Sequence, residues 1–150
     1  MPRRYGDDSL YTRVRVETDL DKVLASTEAE RAYIAGFFDG EGSIGIYKYA
    51  RSISAYLSFA QKNPAILLWI QSIFGGTLVS TKPGTHSTDP VFQLRYTSRH
   101  DIAVLLRILR PHIRVKKDQV DAVFDFFALP EDAKEDKANI VDLVKAMKRA

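Results

Sequence analysis

The chain has 150 residues, of which 45% are hydrophobic and 27% charged, and a formal net charge of +3; that length suits one domain able to bury a core. No apolar run approaches the ~18 residues of a membrane span, so a soluble protein with no membrane partner is expected. Cysteine is absent, which excludes disulfides and thiolate metal sites and, with charged first residues and no signal-peptide pattern, favours an intracellular setting.

In chain order, the first 25 residues carry the weakest pattern, and Arg13-Val14-Arg15-Val16 reads as either a short strand or an extended arm. Thr27-Glu28-Ala29-Glu30 is a capping box, and the apolar positions that follow predict a helix ending near Gly40. Ser43–Tyr49 and Ile53–Gln61 alternate like strands, joined by a turn at Ala50-Arg51-Ser52. Asn63 and Pro64 mark a helix start, and Gly75-Gly76 stops that helix after Phe74. Thr77–Lys82 and Val91–Thr97 flank Pro83–Pro90, whose composition is that of a hairpin end. Ser98-Arg99-His100-Asp101 caps a helix from about Arg99 to Leu109, which Pro111 ends. Two further helices are expected over about Asp118–Ala128 and Glu131–Lys148. Basic residues cluster at Arg110, Arg114, Lys116 and Lys117, which points to a polyanionic partner.

The sum is αββαββα with a helical tail, an α+β fold whose four-stranded antiparallel sheet is backed by helices on one face. Alternation turns Ile44, Ile46, Leu57, Phe59, Phe92 and Leu94 toward the helices. Gly45, Tyr47, Tyr49, Tyr56, Ser58, Gln93, Arg95 and Thr97 then form the open face, whose side chains could hydrogen-bond base edges in a major groove, which admits β-ribbons. Arg51, Lys48 and Lys82 add charge nearby. His86, His100 and His112 have no paired-ligand spacing, and Trp69 reads as packing.

The stretch AGFFDGEGSIG, Ala35 to Gly45, concentrates glycine beside two carboxylates. Gly40, Gly42 and Gly45 satisfy G-x-G-x-x-G, but a phosphate-binding turn must follow a strand and open a helix. Here a helix precedes and a strand follows. The glycines end a helix, and Glu41 sits where the helix dipole disfavours a carboxylate by roughly 0.3–1 kcal/mol unless a cation offsets it.

This order of elements, with Ile34-Ala35-Gly36-Phe37-Phe38-Asp39-Gly40-Glu41-Gly42 at its head, resembles the LAGLIDADG homing endonucleases. The resemblance covers the core from about Glu28 to Leu109 and suits the helical tail. It implies one endonuclease domain over 1–150, with an N-terminal extension (1–26), a core (27–110) and a C-terminal helical tail (111–150). It implies that Glu41, with Gly40 beside it, binds a catalytic divalent metal, Mg²⁺ or Mn²⁺, and that Ca²⁺ binds without supporting cleavage. Asp39 is then mainly structural, and Gln61 and Lys116 join Glu41 as catalytic residues. Glu stands where Asp is commoner, and Phe37-Phe38 where smaller aliphatics are frequent.

Only one copy of the signature occurs, so a family member of this kind works as a homodimer. Gly36 and Gly40 share one helix face where a second backbone can approach, with Phe37 and Asp39 completing the expected dimer interface. Two Glu41 carboxylates would then serve the two strands of double-stranded DNA. A strand of about nine residues spans roughly 30 Å, or about nine base pairs at 3.4 Å each, giving a near-palindromic site of roughly twenty base pairs. The implied reaction is metal-assisted phosphodiester hydrolysis leaving 3′ overhangs, in the service of intron homing. The main alternative is a catalytically idle relative that binds intron RNA as a maturase or regulates by binding DNA.

Overall fold

The computed structural model describes residues 10–81 and 90–149. Lys82 and most of the expected hairpin end, including His86, lie outside the described residues. The elements in order are β1 (Leu10–Val16), α1 (Leu20–Ala25), α2 (Glu28–Glu41), β2 (Gly42–Tyr49), β3 (Ser52–Gln61), α3 (Pro64–Phe74), β4 (Gly76–Thr81), β5 (Phe92–Tyr96), α4 (Arg99–Leu109), a 3-10 turn at Arg110–His112, α5 (Lys117–Ala128) and α6 (Lys134–Arg149). The expected αββαββα order is present in α2 to α4. The sheet is antiparallel with order β1-β4-β5-β3-β2, so it has five strands instead of the expected four. The chain forms two compact units, one from the described parts of 1–26 and 58–95, the other from 27–57 and 96–149.

In the first unit the added strand is β1. It runs antiparallel to β4, with Arg13 opposite Val79, Val14 opposite Leu78 and Arg15 opposite Thr77. β4 in turn pairs with β5 through Thr77–Arg95, Leu78–Leu94 and Val79–Gln93. α3 starts as expected: the Asn63 side chain accepts from the Ala65 N–H at 2.9 Å, with Pro64 in the first turn. Its buried Gln71 donates through Nε2 to the carbonyls of Val14 and Gly76, each at 3.1 Å. The Thr18 hydroxyl donates to the Phe74 carbonyl at 3.0 Å. Gly75 ends the helix at φ +71°, and a Cβ there would stand 2.7 Å from the Thr18 Cα. Glycine is therefore demanded twice at this position, by the left-handed backbone and by the close approach of the chain leaving β1.

In the second unit Thr27 and Glu30 form the expected capping box, with bonds of 3.0 and 2.8 Å. α2 buries Ile34, Ala35 and Phe38 and runs through Glu41, one residue beyond the expected stop. α4 is capped by Ser98 and buries Ile102, Leu105, Leu106 and Leu109. α5 buries Val120, Ala122, Val123 and Phe126. The last helix starts at Lys134, because Pro130–Ala133 closes a turn first, the Ala133 N–H donating to the Pro130 carbonyl at 3.1 Å. α6 buries Val141 and Val144 and packs on α5 and β2. The β2–β3 turn holds Ala50 at φ 54°, a left-handed conformation that costs a residue with a Cβ about 1–2 kcal/mol.

Candidate active site and nucleic-acid interface

The acidic end of α2 divides its two carboxylates between different surroundings. Asp39 is half-buried, and its carboxylate accepts from the backbone N–H of Arg114 at 2.7 Å and of Lys116 at 3.1 Å. The Lys116 ammonium donates to the Asp39 carbonyl at 2.7 Å and stands 5.9 Å from the centre of the Phe38 ring. The segment between the 3-10 turn and α5 is thereby stitched to the end of α2, and it carries a cation to the helix terminus, where orphan carbonyls are partly negative. Glu41, the last residue of that helix, is exposed and has no hydrogen-bond or ion-pair partner among the described residues.

The signature glycines do different things. A Cβ on Gly42 would stand 2.2 Å from the Phe38 ring and 2.6 Å from the Phe38 carbonyl oxygen, so the helix-to-strand junction closes only without a side chain. A Cβ on Gly36 or Gly40 would meet nothing within 4 Å. That face of α2 is open. Gly36 and Asp39 also line a groove against Pro111, Ile113 and Arg114, beside the 2.8 Å contact of His112 with Glu28. Phe37 is half-buried.

The expected basic cluster is partly neutralised. Arg110 makes a two-pronged pair with Asp121 at 2.8 and 3.0 Å, which lowers the Asp121 pKa and raises that of Arg110. With Lys116 committed to Asp39, Arg114 and Lys117 are the exposed members.

On β2 and β3, Ile44, Ile46, Leu57 and Phe59 are buried as the alternation requires, while Tyr47 and Tyr49 are exposed and Tyr56 and Ser58 half-buried. Gly45, expected on the open face, is buried there instead. The cause is Lys148 of α6, whose ammonium donates to the Tyr56 hydroxyl and lies 4.8 Å over its ring. A Cβ on Gly45 would meet that ammonium and the Tyr56 ring, each at 2.8 Å. Tyr47 packs against Tyr56 at 6.0 Å between ring centres, and Ser43 lies 3.4 Å from the Tyr56 hydroxyl. Burial alone would raise the Tyr56 pKa; the hydrogen bonds of Lys148 and Ser43 and the lysine charge outweigh it and bring the pKa below the usual tyrosine value. Lys48 alternates away from Tyr47 and Tyr49 and is exposed near the hairpin end, as is Arg51 in the turn. Thr97 is exposed just past the end of β5.

In the other unit, Gln61 ends β3 half-buried, its side-chain oxygen accepting from the Lys62 N–H at 2.9 Å. Arg95 donates through Nε to the Gln93 side-chain oxygen at 2.8 Å, which fixes the guanidinium. Burial and then the Arg13 charge hold the Arg95 pKa below its ordinary value. Lys148, Arg13 and Arg15 are polar residues near these faces that the sequence pattern does not single out. Only the Arg-Val alternation of 13–16 hints at the last two.

The described residues contain no cluster of three or more His, Cys, Asp or Glu side chains able to hold a metal, and no helix long and apolar enough to cross a membrane. The profile of a family described as LAGLIDADG endonuclease matches residues 34–128. The intron-encoded DNA endonuclease ai2b of Dictyostelium discoideum is 31% identical over 104 residues, covering 67% of this chain and 39% of that protein, so this chain spans well under half of that relative's length. The homing endonuclease I-CvuI, solved with the I-CreI target in the presence of 2 mM Mg with DNA not cleaved, matches at TM-score 0.66 and 20% identity over 86% of this chain and 85% of its own. I-CvuI was also solved with its own target in 2 mM Ca. The archaeal intron-encoded homing endonuclease I-Vdi141I complexed with DNA matches at TM-score 0.66 and 17% identity, over 80% of this chain and 84% of that one.

Proposed function

Because the chain belongs to the LAGLIDADG endonuclease family, we propose that it is a site-specific homing endonuclease that acts as a homodimer, within a cell, on a long, near-palindromic double-stranded DNA target. It hydrolyses one phosphodiester bond in each strand and leaves short 3′ overhangs. The observation that carries this reading is the exposed Glu41, without a partner among the described residues, at the end of a helix whose Gly36 and Gly40 face is open. A second copy of α2 fits that face, and the twofold axis would give each DNA strand one Glu41.

A hard divalent ion suits this donor set. Mg²⁺ is commonly held by one or two carboxylates, with waters and substrate phosphate oxygens completing its shell. Glu41 supplies a carboxylate with free acceptor capacity, and Gly40 a backbone carbonyl at the helix end. Bound there, Mg²⁺ or Mn²⁺ would supply a low-pKa water and offset charge on the phosphate; Ca²⁺ is expected to bind without supporting cleavage. Lys116 has three ammonium donors, of which one is committed to Asp39, leaving two to stabilise negative charge on the phosphate. Gln61 keeps its amide N–H donors to orient water, since Lys62 occupies its oxygen. Tyr47, Tyr49, Tyr56, Ser58, Gln93, Arg95 and Thr97 read the major groove, and Lys48, Arg51 and Lys82 hold phosphates. The 1–150 segment acts as one endonuclease domain.

The test is cleavage of a randomised duplex library in Mg²⁺ by the wild-type chain and by Glu41→Gln. The wild type should select and cut one long site, and the variant should bind that site within a few-fold and not cut it. Near-normal cutting by Glu41→Gln overturns the metal assignment. Specific binding with no cutting by the wild type would move the protein to the idle, DNA-regulating reading.

A further inference from the structure

β1 stands outside the residues the family profile matches, yet its register places it on a surface of obvious chemistry. Arg15 lies opposite Thr77, which lies opposite Arg95; Arg13 lies opposite Val79, which lies opposite Gln93. Directly opposed residues of an antiparallel ladder project from the same face, and residues two apart along a strand do so as well. Arg13, Arg15, Gln93 and Arg95 therefore share one face in two rows across three strands. Neighbouring strands are about 4.8 Å apart, so β1 carries its arginines roughly 10 Å beyond β5.

Among the described residues the charges on that face have one counter-ion. Glu17 pairs with Arg15, at 3.1 Å, and both side chains are mostly exposed, a setting in which an ion pair contributes little and exchanges readily. Arg13 is exposed and has no partner among the described residues. Its charge bears on Arg95, which is half-buried. Among the described residues the face sets three guanidinium groups against one rim carboxylate, and a polyanion laid across it relieves their mutual repulsion. The four residues also differ in order. Arg95 is fixed by Gln93, as a base-reading fork must be, whereas among the described residues no side chain orients Arg13 and an exposed glutamate alone holds Arg15. Loosely held arginines suit phosphates, which need charge more than geometry.

We propose that β1 is an additional DNA-contacting strand, in which Arg13 and Arg15 grip the phosphate backbone of duplex DNA and extend the footprint of each chain beyond that of the four-stranded core. This rests on the DNA-binding reading of the sheet. A competing role, protection of a sheet edge against strand addition, needs charge on β1 but no DNA contact.

The experiment compares the wild-type chain with Arg13→Gln/Arg15→Gln and with Arg13→Lys/Arg15→Lys, on a duplex that the wild type selects from a random library, bound in Ca²⁺. Thermal unfolding checks that each variant folds. The Gln pair should lower the slope of log affinity against log salt by about 0.9 for each phosphate no longer neutralised, shorten the hydroxyl-radical footprint at one end of each half-site, and leave base preferences unchanged. The Lys pair should keep the wild-type slope and footprint, which separates charge from strand integrity if the Gln pair folds poorly. A Gln pair with the wild-type slope and footprint, or a Lys pair in which both are reduced, overturns the proposal. Weakened preference at particular base pairs overturns the phosphate assignment. If the wild type itself selects no duplex, the DNA-binding reading fails, a distinct result.

Discussion

Asp39→Ala removes a carboxylate that accepts two backbone N–H groups 75 and 77 residues away in sequence, at 2.7 and 3.1 Å. A hydrogen bond to a charged group contributes about 1.5–3 kcal/mol net. Because the Arg114 bond is exposed and the Lys116 bond only part-buried, water replaces much of each, so each contributes at or just below the lower end and the two together about 2–3 kcal/mol. The destabilisation should appear as a lower urea midpoint with an unchanged slope, at fixed protein concentration because dimerisation contributes to stability. The second effect is on position. With residues 114–116 released, the Lys116 ammonium is no longer anchored at the Asp39 carbonyl, and single-turnover cleavage should slow more than tenfold, about 1.4 kcal/mol, while target affinity stays within a few-fold. A stability within about 0.5 kcal/mol of wild type, the range of an ordinary surface substitution, would refute the claim that this carboxylate holds the segment. Slow cleavage at full stability would make Asp39 a participant in the chemistry.

Gly36→Leu should convert the dimer to monomer in sedimentation, because a side chain of that size cannot fit between helices in close approach; an intact dimer would place the interface elsewhere. Arg95→Ala should cost about 1–3 kcal/mol of target affinity and relax preference at one position in each half-site; equal weakening on every single-base variant would show that Arg95 holds backbone. Lys148→Met should raise the Tyr56 pKa above the ordinary tyrosine value, since burial then acts without its main opponent, and an unchanged tyrosine titration would refute the interaction.

What is legible in the sequence follows from the range of each signal. The start of α2 at Thr27, the start of α3 at Asn63-Pro64 and its stop at Gly75 are written in neighbouring residues, and the structure has them where expected. β1 is ambiguous in the sequence because its placement depends on a ladder with β4 and on Gln71, whose bond to Val14 spans 57 residues. The same reason hides Lys148, which reaches Tyr56 across 92 residues and buries Gly45. Alternation puts Gly45 on the correct face but cannot foresee that a distant helix covers it. β5 ends at Tyr96, a residue short of expectation, because Ser98 already caps the next helix and Thr97 serves the crossing between them.

The concentration of glycine beside acid resolves into a geometric division. Successive residues of an α-helix turn by ~100°, so Asp39 and Glu41 point to opposite sides of the end of α2. One side meets the 114–116 backbone, and the acid there accepts one N–H on each carboxylate oxygen and holds structure together. The other side meets solvent, and the acid there keeps its acceptors. A helix end would ordinarily repel both. Asp39 tolerates it by accepting two N–H groups, and those same bonds bring in the segment whose Lys116 ammonium donates to the Asp39 carbonyl. The first acid thus fixes the segment beside the helix end, while the second, with no hydrogen-bond or ion-pair partner among the described residues, keeps the acceptor oxygens that a metal would need.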